Sequence, residues 1–272
     1  MKIRNLFEFM GFRGKPRHFA YQTHNVTLEN TVVCFAKWLH PHDKCEMLTA
    51  QMVDEHREVL KEGDFCIDIG AYTGDSALPM ALAVGVTGCV LALEPNPFIY
   101  HVLEKNARAN AHITNIKTVM AAASDKEGFT SFEYSDSGFG NGGRHEGIHP
   151  FRHGHPYKLE VFCVNLEQEL YKHYSSWLPK LKLIKVDAEG YDLQIIKSMR
   201  SVIEKYRPTI RAEVLKRTSL TYRKEMLDFL SDLDYLVYRI DKGTSFGKGP
   251  LITSENISDH RTKTYDLLGV PD

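Results

Sequence analysis

Short blocks of uninterrupted apolar residues alternate along the chain with stretches whose apolar positions recur every three or four residues. The blocks FCIDI, CVLAL, NIKTVMAA, VFCVNL, LKLIKVD, TIRAEVL and YLVYRI predict strands. Helices are predicted over 76–84, 97–109, 190–205 and 220–232. Asn96 followed by Pro97 marks one helix start, because asparagine caps with its side chain and proline loses nothing at the first helical position. Pro208 in EKYRPTI closes another, since proline disfavours helical geometry in the residue before it. Buried strands separated by helices predict an α/β domain with a mostly parallel sheet covered on both faces.

The pattern is different upstream. NVTLENTVVCFAKWL predicts one or two strands, and KCEMLTAQMVDEHREVL an amphipathic helix. Residues 1–54 are therefore read as an N-terminal annex packing on a core domain at 55–272. Ile3, Leu6, Phe7 and Met10 share one helical face, with Lys2, Arg4, Arg13, Lys15 and Arg17 nearby. That face is expected to pack on the protein's own domain or on a second subunit; peripheral contact with an anionic membrane is the alternative. Charges interrupt every apolar run there, so no signal-peptide core is expected. The run ALPMALAVGVTGCVLAL is broken by Pro79, Gly85, Thr87 and Gly88, whereas a bilayer span needs roughly 20 apolar residues in continuous helix. It is read as a buried helix, a tight turn and a buried strand.

Composition narrows the classes. Hydrophobic residues make up 43% and charged residues 25%, the balance of a soluble globular protein. The formal net charge of −1 provides no global basic field for nucleic acid, and no nucleic-acid partner is expected. Cys34, Cys45, Cys66, Cys89 and Cys163 are scattered and form no C-x-x-C pair, which predicts reduced thiols in a cytoplasm.

Candidate chemistry gathers after the first core strand, in FCIDIGAYTGDS. Asp68 ends the strand and a glycine turn follows, at the edge where open α/β sheets bind ligands. A phosphate-gripping loop requires a lysine after Gly74, and there is none; a dinucleotide fingerprint requires a glycine where Tyr72 stands. The remaining shape, D-x-G-x-x-x-G, suits S-adenosylmethionine. Glycine at position 70 is expected to let a ligand rest on the turn, so valine there would block binding while leaving the sheet folded. Glu94 ends the second strand, 20 residues after Gly74, where an acid accepts hydrogen bonds from ribose hydroxyls. That acid suits NAD equally well. The small residues AAAS at 121–124 would close the third strand beside a flat adenine.

Taken together, FCIDIGAYTGDS, LALEPNP, AAASDKEG, IKVDAEGYDLQIIKSM and RPTIRAEV resemble the FkbM family of methyltransferases over residues 55 to 215. The resemblance implies a class I, Rossmann-like fold with a mostly parallel seven-stranded sheet, S-adenosylmethionine as donor, and O-methylation of a hydroxyl on a glycan sugar or a natural product. It places the donor at Asp68, Gly70, Ala71, Tyr72, Gly74, Asp75, Ser76, Glu94, Asn96 and Ala122. Asn165 stands where the family often has an acid.

Acids repeated at strand ends are expensive to cluster unless a base, a cation or a ligand uses them. Asp187 and Glu189 are therefore expected to bind and deprotonate the acceptor, with Glu213 in support. Lys185 is expected to pack or pair. Carboxylates such as these suit magnesium, but no dedicated ligand spacing selects a metal, and a divalent ion is left open. The glycine- and histidine-rich stretch 135–157 is expected to be a lid that orders over the acceptor. Asn141, Arg144, His145, His149 and His155 are its candidate substrate residues, and one of its histidines is the rival base.

Overall fold

The computed structural model describes residues 15–43, 45–134, 137–140, 142–143, 157–240, 246–258 and 264–272. The predicted N-terminal helix and most of 135–157, including Asn141, Arg144, His145, His149 and His155, lie outside these residues.

The strands are β1 (Tyr21–Leu28), β2 (Thr31–Trp38), β3 (Phe65–Ile69), β4 (Cys89–Leu93), β5 (Ile116–Val119), β6 (Ala122–Ser124), β7 (Gly128–Tyr134), β8 (Gly142–Gly143), β9 (Tyr157–Asn165), β10 (Leu181–Val186), β11 (Thr209–Val214), β12 (Tyr235–Ile240) and β13 (Tyr265–Pro271). Seven of them form one sheet in the order β12-β13-β11-β10-β3-β4-β5. All neighbours are parallel except β13, which runs antiparallel to both β11 and β12. This is the order and polarity of a class I methyltransferase sheet. The chain runs outward from β3 to β5, then returns to β10 on the other side of β3. The crevice between the ends of β3 and β10 is thus the topological switch point, where α/β sheets bind ligands.

Strand membership departs from the periodicity in three places. NIKTVMAA splits: β5 stops at Val119 and Ala122–Ser124 joins a second, four-stranded sheet of order β6-β9-β7-β8. VFCVNL belongs to β9 in that second sheet, pairing Cys163 with Ala122 in parallel. The seventh strand of the main sheet is instead YDLLGVP, which periodicity did not single out because a glycine and a proline interrupt it.

The Pro97–Ala109 helix forms as predicted, with the Asn96 side chain accepting from the Phe98 N–H at 2.9 Å. The stretch 190–205 forms two helices, Asp192–Ser198 and Arg200–Tyr206, joined at Met199. The helix read over 44–60 is shorter, Ala50–Arg57, because Thr49 stays extended and caps it through Met52 N–H. Asn165, the position that departs from the family, caps Leu166–His173 by accepting from Gln168 N–H, and donates to the Asp125 carbonyl. Its amide does what a carboxylate could not, since a carboxylate cannot donate.

Strands β1 and β2 form a hairpin of their own that docks on the Pro97–Ala109 helix. Fully buried Asn106 makes the joint: its Oδ1 accepts from Ala36 N–H at 2.7 Å, and its Nδ2 donates to the Ala36 carbonyl at 3.0 Å and the Thr73 carbonyl at 2.8 Å. One amide thus ties the hairpin, a core helix and the turn after β3. Leaving any of these buried groups without a partner costs about 1–3 kcal/mol. Among the described residues no helix is long and apolar enough to cross a membrane.

Candidate active site

Strand β3 delivers Asp68 to its C-terminal end, where the side chain is fully buried. Both carboxylate oxygens are engaged. Oδ2 accepts from Ser76 Oγ at 2.7 Å, and Oδ1 accepts from Lys185 Nζ at 3.2 Å. Lys185 rises from β10, the neighbouring strand, and lies 3.7 Å from Asp187 Oδ2 as well. Burial opposes its charge, but Asp68, Asp187 and Asp75 outweigh burial and hold its ammonium above the usual lysine range. The pairing expected for Lys185 is thus present, in a central position.

The turn 70–74 is shaped by the protein itself. Gly70 has φ of +77°, and a β-carbon there would stand 2.0 Å from the Asp187 carbonyl oxygen. Gly74 has φ of +90°, and its β-carbon would meet Leu103 at 3.1 Å. The expectation that Gly70 leaves room for a ligand is therefore corrected: its missing side chain makes room for the backbone after β10, and valine would disrupt the sheet edge. Gly70 and Ala71 both donate their N–H groups to the Leu93 carbonyl, at 3.0 and 2.9 Å, which binds the turn to the end of β4.

Glu94 follows β4 and is 6% exposed. Its Oε2 accepts from Tyr72 N–H at 3.0 Å and its Oε1 from Asn96 N–H at 2.9 Å. Burial pushes its carboxyl up to about 8; the two N–H groups pull it down, and the Asp68 and Asp187 charges push it further up. Asp75, partly exposed, is pushed up to about 6 by burial, against the pull of Lys185 and with the repulsion of Asp68 and Asp187. Three carboxyl groups, Asp68, Asp187 and Asp75, thus share one lysine, and Glu94 feels the charge of two of them.

That imbalance is the fit test for the donor. S-adenosylmethionine carries an ammonium, a sulfonium and two ribose hydroxyls, which are the cationic and hydrogen-bond-donating groups a site of excess carboxylate accommodates. Glu94, after β4, Asp68, on β3, and Asp75, after β3, are the residues that could hold these groups. Ser76 is spent on Asp68 and orients it. Asn96 is buried, with Oδ1 on Phe98 N–H and Nδ2 on the Phe139 carbonyl at 2.8 Å, so its side chain is engaged within the protein. Ala122, expected beside adenine at the end of the third strand, instead opens β6 and packs with Val161 and Cys163.

At the end of β10, Asp187 N–H donates to the Ile69 carbonyl at 2.9 Å, continuing the β3–β10 ladder. The loop then turns through Glu189 and Gly190, with φ of +52° and +103°. Asp192, fully buried at the start of the next helix, reaches back to accept from Ala188 N–H at 3.3 Å and Gly190 N–H at 3.1 Å. Glu189 Oε2 stands 3.7 Å from Arg217 Nη2. Glu213, on β11, is 6% exposed; burial, then the Asp187 charge and last that of Glu213 push the Asp192 carboxyl well up, against the two N–H groups it accepts from. Sequence reasoning missed the part played by Asp192, whose only signal was a second acid before an apolar helix. Among the described residues, no group of three or more histidine, cysteine, aspartate or glutamate side chains is arranged to hold a metal ion.

Comparison with solved structures finds similar folds at low identity. A precorrin-6y C5,15-methyltransferase from Geobacter metallireducens GS-15 is 14% identical with a TM-score of 0.44, over 82% of this chain and 87% of that one. A methyltransferase FkbM from Methylobacillus flagellatus KT is 14% identical with a TM-score of 0.45, over 77% of this chain but 44% of that one. An O-methyltransferase from Bacillus cereus in complex with SAH is 14% identical with a TM-score of 0.43, over 84% of each chain. Comparison with curated proteins finds no match. The family profile described as Methyltransferase FkbM domain matches residues 68–237, more than half of the sequence, from Asp68 into β12. The chain belongs to the FkbM methyltransferase family and is an S-adenosylmethionine-dependent methyltransferase.

Proposed function

We propose that this enzyme methylates a hydroxyl group of a sugar in a glycan or glycoconjugate, with carboxylate assistance. The observation that carries the reading is the loop after β10. Asp187 and Glu189 keep 35% and 38% of their side chains exposed while the loop backbone touches the donor turn at Gly70. An acceptor that hydrogen-bonds to these carboxylates stands beside the donor, and alignment supplies most of the rate in an in-line displacement.

Bound S-adenosylmethionine supplies an electrophilic methyl group on a sulfonium. The protein's residues do the rest. With the donor bound, the Asp187 carboxylate would accept the proton of the acceptor hydroxyl as that oxygen takes the methyl group, the donor leaving as a neutral thioether. Such a base contributes about 10²–10⁴-fold. Lys185 remains cationic between Asp68 and Asp187 and orients both. Glu189, steadied by Arg217, binds a neighbouring hydroxyl, as vicinal sugar hydroxyls require. Glu213 stands behind the loop, where its charge repels the Asp192 carboxylate and favours its protonated form. The chain's near-neutral charge disfavours a nucleic-acid acceptor.

The test is methyl transfer from isotope-labelled S-adenosylmethionine to a panel of nucleotide sugars, lipid-linked saccharides, polyketide alcohols and RNA. Label in an alkali-stable methyl ether on a sugar supports the reading; label only in a polyketide alcohol or only in RNA overturns the sugar assignment.

A further inference from the structure

The family match begins at Asp68, yet the segment before it reaches into the donor site. Asp43 follows the β1–β2 hairpin, and its Oδ1 accepts from the Tyr72 hydroxyl at 3.1 Å and from Cys45 N–H at 3.1 Å. Tyr72 sits in the donor turn with φ of +50°, a region that residues bearing a β-carbon enter at a cost. In that conformation its own N–H points at Glu94 Oε2. Burial and the adjacent Asp43 carboxylate push the Tyr72 hydroxyl up, so it stays protonated and donates.

The contacts close a ring around Glu94. Asn96 N–H holds the other Glu94 oxygen, and Asn96 Nδ2 holds the Phe139 carbonyl. Phe139 is flanked by Gly138 and Gly140, where a β-carbon would stand 2.4 and 2.5 Å from the His40 ring. His40 stacks on Trp38 at 4.5 Å, and Trp38 turns its ring edge-on to Tyr72 at 6.1 Å. Trp38 ends β2 and Asp43 lies beyond it, so the hairpin reaches the turn at two points besides Asn106.

We propose that Asp43 and Tyr72 form a positioning pair for the donor. The hydroxyl of Tyr72, held by Asp43, fixes the left-handed backbone at position 72, and that backbone aims one of the two N–H groups that orient the Glu94 carboxylate toward the ribose. Residues upstream of the family match are thereby part of the donor site. The inference rests on the donor site described above and is independent of the acceptor.

The test is calorimetric titration with S-adenosylhomocysteine from pH 6 to 9, on the full chain and on Glu94→Ala, Asp43→Ala, Asp43→Asn, Tyr72→Phe and Asp43→Ala/Tyr72→Phe. Asp43→Ala and Tyr72→Phe each weaken binding about 3- to 10-fold, the scale of one hydrogen bond. The double variant is no weaker than the weaker single one, because both remove the same contact. Asp43→Asn, which keeps an oxygen acceptor, binds within about twofold of the unaltered chain. In Tyr72→Phe the acid limb of the binding curve moves to higher pH. Glu94, facing the Asp68 and Asp187 carboxylates and the Tyr134 hydroxyl, loses one of the N–H groups that hold its carboxyl down. Unchanged affinity in Asp43→Ala and Tyr72→Phe overturns the pair, as do additive losses in the double variant. A loss in Asp43→Asn as large as in Asp43→Ala overturns the hydrogen bond as the cause. If Glu94→Ala alone leaves affinity unchanged, the donor site itself is wrong and the pair falls with it.

Discussion

The α-carbon of Gly70 lies against the carbonyl oxygen of Asp187, so close that a β-carbon would stand 2.0 Å from that oxygen. The turn after β3, where the donor is proposed to bind, and the loop that carries the candidate base are therefore in backbone contact. Gly70→Ala is expected to lose at least about 2 kcal/mol of stability, from the clash and from the positive φ. Thermal melting of Gly70→Ala and of the exposed surface variant Val86→Ala checks this, with only the first losing stability.

The acceptor side separates from the donor side in kinetics. Asp187→Asn is expected to bind S-adenosylhomocysteine within about threefold of the unaltered enzyme and to lose about 10²–10⁴-fold in turnover. Glu189→Gln is expected to raise the acceptor KM more than it lowers kcat. Equal turnover in Asp187→Asn would move the base elsewhere. Activity abolished by EDTA and restored by magnesium would instead bring an ion into the reaction.

Stability of the ligand-free enzyme depends on pH in a defined window. Burial raises Glu94 from 4.5 to about 8 and Asp75 from 3.8 to about 6. Folded protein therefore holds more protons than unfolded chain between those values, and stability falls as pH rises through them. For Glu94 the loss begins above 4.5 and is complete beyond about 8, with a slope of at most about 1.4 kcal/mol per pH unit. Denaturant melts at pH 5, 6.5 and 8 should show a shallower decline in Glu94→Gln, whose side chain does not titrate. Saturating S-adenosylhomocysteine should also flatten the decline of the unaltered chain.

Asp192 holds the loop in its left-handed turn. Asp192→Ala leaves Ala188 and Gly190 N–H without their acceptor and is expected to cost about 1–3 kcal/mol. Hydrogen exchange should then show faster exchange at residues 188–191, with the amides of β4 unchanged.

Much of this was legible before the structure. The Pro97–Ala109 helix could be bounded because Asn96 and Pro97 encode its start locally, and Asp68 and Glu94 stood out as acids closing apolar runs. Other features depend on distant partners. VFCVNL reads like a main-sheet strand, yet Cys163 pairs with Ala122 in the second sheet, a choice made by tertiary packing. YDLLGVP was passed over, although Leu267 pairs with Ala212 in the main sheet. Glycine at 70 was visible, but its reason was not, because the Asp187 carbonyl arrives from 117 residues away along the chain. Tyr72 is expected at the donor from the sequence, but its left-handed backbone and the bond from its N–H to Glu94 are visible only in the structure.

The most direct test of the central claim is calorimetric titration of the unaltered chain and Glu94→Ala with S-adenosylhomocysteine at pH 8.5, where Glu94 is largely ionised. Binding at the edge formed by the ends of β3 and β4 predicts that the unaltered chain binds and that Glu94→Ala binds about 10- to 150-fold more weakly, the equivalent of about 1.5–3 kcal/mol. Equal affinity in the two proteins would contradict it.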